Sequence, residues 1–170
     1  MGDLSAILLF EVSIGANSRF NLEFAPTPCY HEFMDYLHRR LEGPLKEALE
    51  QFPAVLITGP RQAGKSTLLQ HCLKDYTYVT LDDVLIRNLA ESDPTLFLNT
   101  YEPPLIIDEI QYVPSLLSSI KMHIDTNRRK HGQYVLTGSQ VFPLMKGVSE
   151  SLAGRIAIFQ LYPLSWQEIP

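Results

Sequence analysis

Two periodicities alternate along this chain. Apolar residues at Leu37, Leu41, Leu45, Leu49 and Phe52 fall three or four positions apart, which sets them on one face of a helix. Ala54-Val55-Leu56-Ile57 then runs apolar without alternation, as expected of a strand in a parallel sheet covered on both faces. Helical spacing is predicted over about 31–52, split into two helices by Gly43-Pro44, with Pro44 suited to the first turn of the second. The same alternation continues to the end. Leu68, Leu69, Cys72 and Leu73 form a helical stripe, and residues 76–81 form a β-branched and aromatic strand. Asp82-Asp83 is placed to cap a helix through Val84, Leu85 and Leu89. Asp93-Pro94 opens a short helix carrying Leu96, Phe97 and Tyr101, which Pro103-Pro104 closes. Leu105-Ile106-Ile107 is a third strand. Pro114 opens a helix with Leu116, Leu117, Ile120 and Ile124 inward and Gly132 as its C-terminal cap. Residues 134–136 form a fourth strand, and after a looser stretch over 146–154, residues 155–161 form a fifth. Strands alternating with helices predict an α/β fold with a parallel sheet and right-handed crossovers.

The first 33 residues depart from this pattern. Residues 4–14 have the apolar character of a strand, and Pro26-Thr27-Pro28 then breaks the chain. Residues 1–33 are expected to be a poorly ordered extension, or to precede a natural start at Met34. Residues 34–170 are expected to form the core.

Composition adds limits. A 170-residue chain with 45% hydrophobic residues suits one domain with a full core. A net charge of −5 gives no global attraction to nucleic acid, although Arg128-Arg129-Lys130-His131 is a local basic run. That run complements a helix C-terminus or contacts a phosphate backbone. Cys29 and Cys72 form no metal-ligand or redox pattern, and His31, His38, His71 and His123 have no metal spacing, so they are taken as structural or surface residues. No apolar run reaches the roughly 18 residues that span a membrane, and no basic cluster precedes residues 4–10 to make a signal peptide. A cytoplasmic protein is expected.

The chemistry concentrates where the first strand hands over to a helix. Gly59-Pro60-Arg61-Gln62-Ala63-Gly64-Lys65-Ser66-Thr67 fits the phosphate-loop pattern of Gly, four residues, Gly, Lys, and Ser or Thr. Gly59 and Gly64 permit backbone conformations in which successive N–H groups wrap a phosphate. The helix N-terminus adds unpaired N–H groups and the positive end of its dipole. Lys65 is expected to reach the β- and γ-phosphates, the Ser66 hydroxyl to ligate Mg²⁺, and Thr67 to cap or pack.

The third strand runs into Asp108-Glu109. Ligands of open α/β sheets sit beyond the carboxyl ends of the strands, where Thr58, Asp108 and Thr137 emerge. Asp108 is expected in the Mg²⁺ shell, and Glu109 as the general base that polarises water. A strand between the loop strand and the acid strand matches ATPases that use a catalytic glutamate. No Asn-Lys-x-Asp guanine signature occurs, which favours adenine.

The loop, Leu81-Asp82-Asp83, Ile106-Ile107-Asp108-Glu109-Ile110-Gln111-Tyr112-Val113-Pro114, Leu136-Thr137-Gly138-Ser139-Gln140, Leu152-Ala153-Gly154-Arg155 and Tyr162-Pro163-Leu164-Ser165 together resemble a family of bacterial and archaeal AAA-type ATPases. The resemblance covers about 34–170. It implies a three-layer P-loop NTPase fold with a five-stranded parallel sheet ordered 5-1-4-3-2, and ATP with Mg²⁺ as ligand. It implies the roles given above for Lys65, Ser66, Asp108 and Glu109. It implies that Thr137 or Ser139 senses the γ-phosphate, the alternative being that these hydroxyls satisfy backbone groups in their turn. Arg155 is implied to supply positive charge to the transition state, in this chain's site or a neighbour's, or else to form an ordinary ion pair. Full-length members continue into a helical region and a second domain beyond the Tyr-Pro-Leu-Ser block. This chain is therefore expected to bind ATP and hydrolyse it slowly. A nucleotide-gated module that binds a protein or DNA is the competing expectation.

Overall fold

Every residue of β1 (Ala54–Thr58) is buried, and the strand lies inside the sheet, flanked by β4 (Tyr134–Gly138) on one side and β5 (Ile156–Gln160) on the other. The computed structural model describes residues 36–139, 147–148 and 151–169. The extension expected over 1–33 and the strand at 4–14 lie outside the described residues. In chain order the remaining elements are α1 (Glu42–Gln51), α2 (Lys65–Cys72), β2 (Thr77–Thr80), α3 (Val84–Ser92), α4 (Pro94–Thr100), β3 (Leu105–Asp108) and α5 (Leu116–Thr126), with a short 3₁₀ turn at Ile110–Tyr112.

The five strands are ordered β2-β3-β4-β1-β5 and all pair in parallel, which is the expected 5-1-4-3-2 arrangement. Alternation along each strand explains why their sequences lack a polar face. Ala54 and Leu56 of β1, with Leu105, Ile107 and Leu136, pack against Phe97, Leu117, Ile120 and Ile124 from α4 and α5. Val55 and Ile57, with Ile106 and Val135, pack against Leu45 of α1 and Leu68 and Leu69 of α2 on the opposite face. A helix layer covers each face of the central strands.

Each fully buried Leu, Ile or Val contributes about 1.5–3 kcal/mol, so these two layers outweigh any single cap. Caps still fix where helices begin. The Asp83 carboxylate accepts the Leu85 and Ile86 N–H groups at 2.8 and 3.2 Å, and Asp93 accepts Leu96 N–H at 2.8 Å. Asp83→Ala is expected to lower stability by about 1 kcal/mol. The check is a shift of the urea midpoint without a change in its slope.

Three expected features are corrected. Residues 36–39 have no helical structure, so only one described helix precedes β1. The Glu42 carboxylate accepts the Tyr36 hydroxyl at 2.9 Å and the Arg39 amide at 2.7 Å, which turns the chain ahead of α1. The spacing of Leu37 and Leu41 thus continued a helical register by coincidence. Pro44 does sit in the first turn of α1, as expected. Gly132 is not the cap of α5: the helix ends at Thr126, and Asn127 N–H bonds back to the His123 and Ile124 carbonyls. Gly132, at φ 59°, instead makes the turn into β4, where a Cβ would come within 2.9 Å of the Tyr76 hydroxyl. Finally, β5 starts at Ile156, so Arg155 stands just before it. Among the described residues no helix is long and apolar enough to cross a membrane.

Candidate active site

Gly59 and Gly64 sit at the two ends of the loop that joins β1 to α2, with φ of 151° and 88°, and Gln62 between them has φ 62°. Positive φ is costly for a side chain with a Cβ, so the loop's path selects glycine at both ends. At Gly59 the demand is also steric, since a Cβ would lie 2.1 Å from the Leu161 carbonyl oxygen. Leu161 is held there because its N–H donates to the Thr58 carbonyl at 2.8 Å.

Lys65, the first residue of α2, is only 6% exposed. Its ammonium donates to the Gly59 and Pro60 carbonyls, each at 3.0 Å, and so closes the loop on itself. A cleft of about 440 Å³ opens over this loop, lined by Arg61, Gln62, Gly64 and Lys65, by Ser66 and Thr67 of α2, and by Glu109. Pro60 and Ala63 complete the loop outside that lining, with Ala63 buried. A larger concavity of about 550 Å³ lies around Pro103, Pro104, His123 and Gly132. There the Gln133 amide donates to the Lys130 carbonyl at 2.8 Å, and His123 pairs with the Tyr134 hydroxyl at 2.5 Å. The smaller cleft is the one lined by the phosphate-loop residues together with Glu109.

The end of β3 supplies the acids. Asp108 is buried and gathers three hydroxyls: Ser66 donates to Oδ2 at 3.0 Å, Tyr78 to Oδ2 at 2.5 Å, and Thr137 to Oδ1. Burial, together with the bond to Asp108, pushes the Tyr78 phenol well above its ordinary value, so it remains a donor. The Ser66 hydroxyl and Asp108 carboxylate are adjacent hard oxygens beside the loop, a donor pair that fits Mg²⁺.

Glu109 turns sharply, at φ 58° and ψ 46°. This left-handed conformation costs a non-glycine residue about 1–3 kcal/mol and is held by surrounding contacts. Its N–H donates to the Thr137 hydroxyl at 3.1 Å. Its Oε2 accepts the Gln111 amide and, at 3.2 Å, the Ser139 hydroxyl. Gln111 Oε1 is buried without a hydrogen-bond partner among the described residues.

The structure therefore gathers Gly59, Gly64, Lys65, Ser66, Thr67, Asp108, Glu109, Thr137 and Ser139 at the carboxyl edge of the sheet. Thr137 is fully buried and spends its hydroxyl on Asp108 and the Glu109 amide. Of the two expected readings, satisfying a backbone group is the one its contacts match, whereas Ser139 stands beside the Glu109 carboxylate.

Arg155 is not brought to this edge. It precedes β5, and its carbonyl accepts Ala54 N–H at the amino ends of the strands. The five-residue strand separates the two edges by roughly 13 Å. Its guanidinium grips Asp125 through two bonds of 2.8 and 3.2 Å and holds that carboxyl below its ordinary value. Of the readings for Arg155, these contacts match the ordinary ion pair and not a role in this chain's own site.

Three residues at the site receive no role from the sequence, although Gln111 falls within the Asp108-Glu109 block. Tyr78, Gln111 and Arg39 reach the site through contacts across the fold, and Arg39, 8% exposed, donates to the Ala63 carbonyl in the loop at 2.9 Å. A period-2 reading of β2 sets Tyr78 on one sheet face, and Gln111 lies two residues after Glu109, but neither fact assigns a role.

Residues 51–170 match the family model described as AAA domain. Uncharacterized proteins of Mycobacterium bovis and Mycobacterium tuberculosis are each 33% identical over 126 residues, covering 74% of this chain and 28% of theirs. The chain thus matches little more than a quarter of the length of these curated relatives. The Walker-type ATPase of Pyrococcus abyssi superposes with a TM-score of 0.56 at 22% identity, covering 79% of this chain and 56% of that one, and shares the fold.

Proposed function

Since the chain belongs to the AAA domain family of P-loop ATPases, we propose that it binds ATP with Mg²⁺ in the cleft over residues 59–67 and hydrolyses it to ADP and phosphate. One juxtaposition carries this reading. Ser66 of the phosphate-loop helix lies 3.0 Å from Asp108, and the neighbouring Glu109 lines the same cleft as Lys65.

The loop amides and the N-terminus of α2 bind the phosphates. On binding, Lys65 exchanges the Gly59 and Pro60 carbonyls for phosphate oxygens, a better match for a buried cation. Ser66 and Asp108 hold Mg²⁺. When bound, the ion withdraws charge from the phosphate oxygens and eases attack at the γ-phosphorus.

Glu109 accepts a proton from the attacking water. Its Oε2 is already fixed by Gln111 and Ser139, so the carboxylate is oriented before substrate arrives, and Oε1 is left to take the proton. The left-handed turn at Glu109 lets two consecutive acids serve different partners, Asp108 the helix hydroxyl and Glu109 the cleft. Ser139, within hydrogen-bond reach of Glu109, is the hydroxyl that contacts the γ-phosphate or the water. Thr137 positions both acids from beneath.

The reading is tested by calorimetric titration of the full chain with ADP and ATP in Mg²⁺, followed by phosphate release with and without EDTA. Binding with metal-dependent release is expected. Absence of nucleotide binding at millimolar concentration would overturn it.

A further inference from the structure

The nucleotide reading leaves a buried cation unused. The Arg39 guanidinium donates from Nη1 to the Ala63 carbonyl at 2.9 Å, from Nη2 to the Tyr162 carbonyl at 2.5 Å, and from Nε to Glu168 at 3.2 Å. Glu168 is itself fixed, accepting Arg40 N–H at 2.9 Å and both the amide and hydroxyl of Ser165, at 2.8 and 2.9 Å. The Ser165 and Arg40 amides hold its carboxyl at about 2, so the carboxylate stays charged near neutral pH. A five-donor planar fork suits this task, because one side chain ties three separate segments together.

Both ends of the phosphate loop consequently rest on residues 161–168. Gly59 lies against the Leu161 carbonyl, and Ala63 reaches Tyr162 and Glu168 through Arg39. The peptide between Ala63 and Gly64 is planar and trans, so its N–H points opposite to its C=O. With that C=O turned to Arg39, the Gly64 N–H is directed away from the guanidinium, and Gly64 lines the cleft. A charged donor on the carbonyl also polarises the peptide and strengthens the N–H as a donor. Gly64 itself gives no resistance to rotation of this peptide. A Cβ there would meet Arg39 Nη1 at 3.2 Å, and at φ 88° the residue depends on outside contacts for its orientation.

We propose that Arg39, held by Glu168, is a positioning residue of the phosphate site, fixing and polarising the Ala63–Gly64 peptide so that its N–H meets a nucleotide phosphate. This rests on the nucleotide reading above. Arg39 does not touch the ligand; it acts through the loop backbone, and it makes phosphate affinity depend on the segment that follows β5.

The test is the affinity of the full chain for ADP with Mg²⁺, measured by titration calorimetry, together with the melting temperature of each variant. Arg39→Gln is expected to weaken binding roughly tenfold or more, the scale of losing hydrogen bonds to a charged group. Arg39→Lys regains part of that affinity, since a single ammonium reaches one carbonyl at a time. Glu168→Gln leaves the arginine in place but frees it, with a smaller loss. Ile124→Val, in the core under α5, is the control for general destabilisation and leaves affinity unchanged. Affinity of Arg39→Gln within twofold of wild type overturns the proposal. So does a loss that tracks melting temperature equally in Ile124→Val. Where Arg39→Gln does not fold, Glu168→Gln decides, and unaltered affinity there overturns the proposal. Absence of ADP binding by the wild-type chain removes the nucleotide reading and this inference with it, whereas wild-type binding alongside an indifferent Arg39→Gln removes this inference alone.

Discussion

Glu109→Gln is expected to lower phosphate release by roughly 10²–10⁴-fold while ATP binding is retained or tightened. The substitution keeps the shape of the side chain, and an amide oxygen can still accept the bonds that Gln111 and Ser139 give to Oε2. The left-handed backbone treats Glu and Gln alike, so the fold should tolerate the change. What disappears is the basic oxygen that takes a proton from water. Removal of a negative charge beside a triphosphate site favours binding, which is why affinity is expected to hold or rise. Single-turnover phosphate release and equilibrium titration separate the two effects. Unchanged turnover in this variant would eliminate Glu109 as the base and favour a nucleotide-gated binding module.

Lys65→Ala is expected to weaken ATP and ADP binding by about a hundredfold or more. The estimate takes two lost charge-assisted bonds at about 1.5–3 kcal/mol each. The cost does not end with the ligand. In the free protein the ammonium closes the loop by bonding the Gly59 and Pro60 carbonyls, so its removal also loosens the cup that the glycines form. Titration with ADP, which lacks the γ-phosphate, separates the γ-phosphate contact from the remainder of the loss. An affinity within threefold of wild type would remove Lys65 from the phosphate site.

Much of this architecture was legible because its determinants are local. Buried parallel strands appear as short apolar runs, and the runs at 54–57 and 105–107 fell inside observed strands. Asp83 and Asp93 cap helices through contacts two or three residues away, a distance that a linear pattern can express. The loop and the Asp108-Glu109 pair are equally local. Arg39 shows the opposite case: it joins residues 63, 162 and 168, a combination that no window along the chain contains. Tyr78 and Gln111 acquire their roles only when β2, β3 and β4 lie side by side. Between the two readings of Arg155, position along the chain already favours the ion pair over this chain's own site. A residue just ahead of a parallel strand lies at the amino edge of the sheet, away from the edge where ligands bind. The helix expected ahead of α1 failed for another reason, since two leucines at helical spacing weigh little against the bonds that Glu42 makes to the chain before it.

The position of β4 between β1 and β3 imposes an order on assembly during synthesis. A nascent chain ending at residue 133 already contains the phosphate loop and both acids, yet the strand that must separate and align them has not been made. Thr137, whose hydroxyl joins Asp108 to the Glu109 amide, arrives with that strand. Residues 161–168, which back the loop, come later still. A chain stopped short of β4 therefore carries the phosphate-loop sequence and both acids without the strand that sets them side by side, and without Thr137 and Ser139.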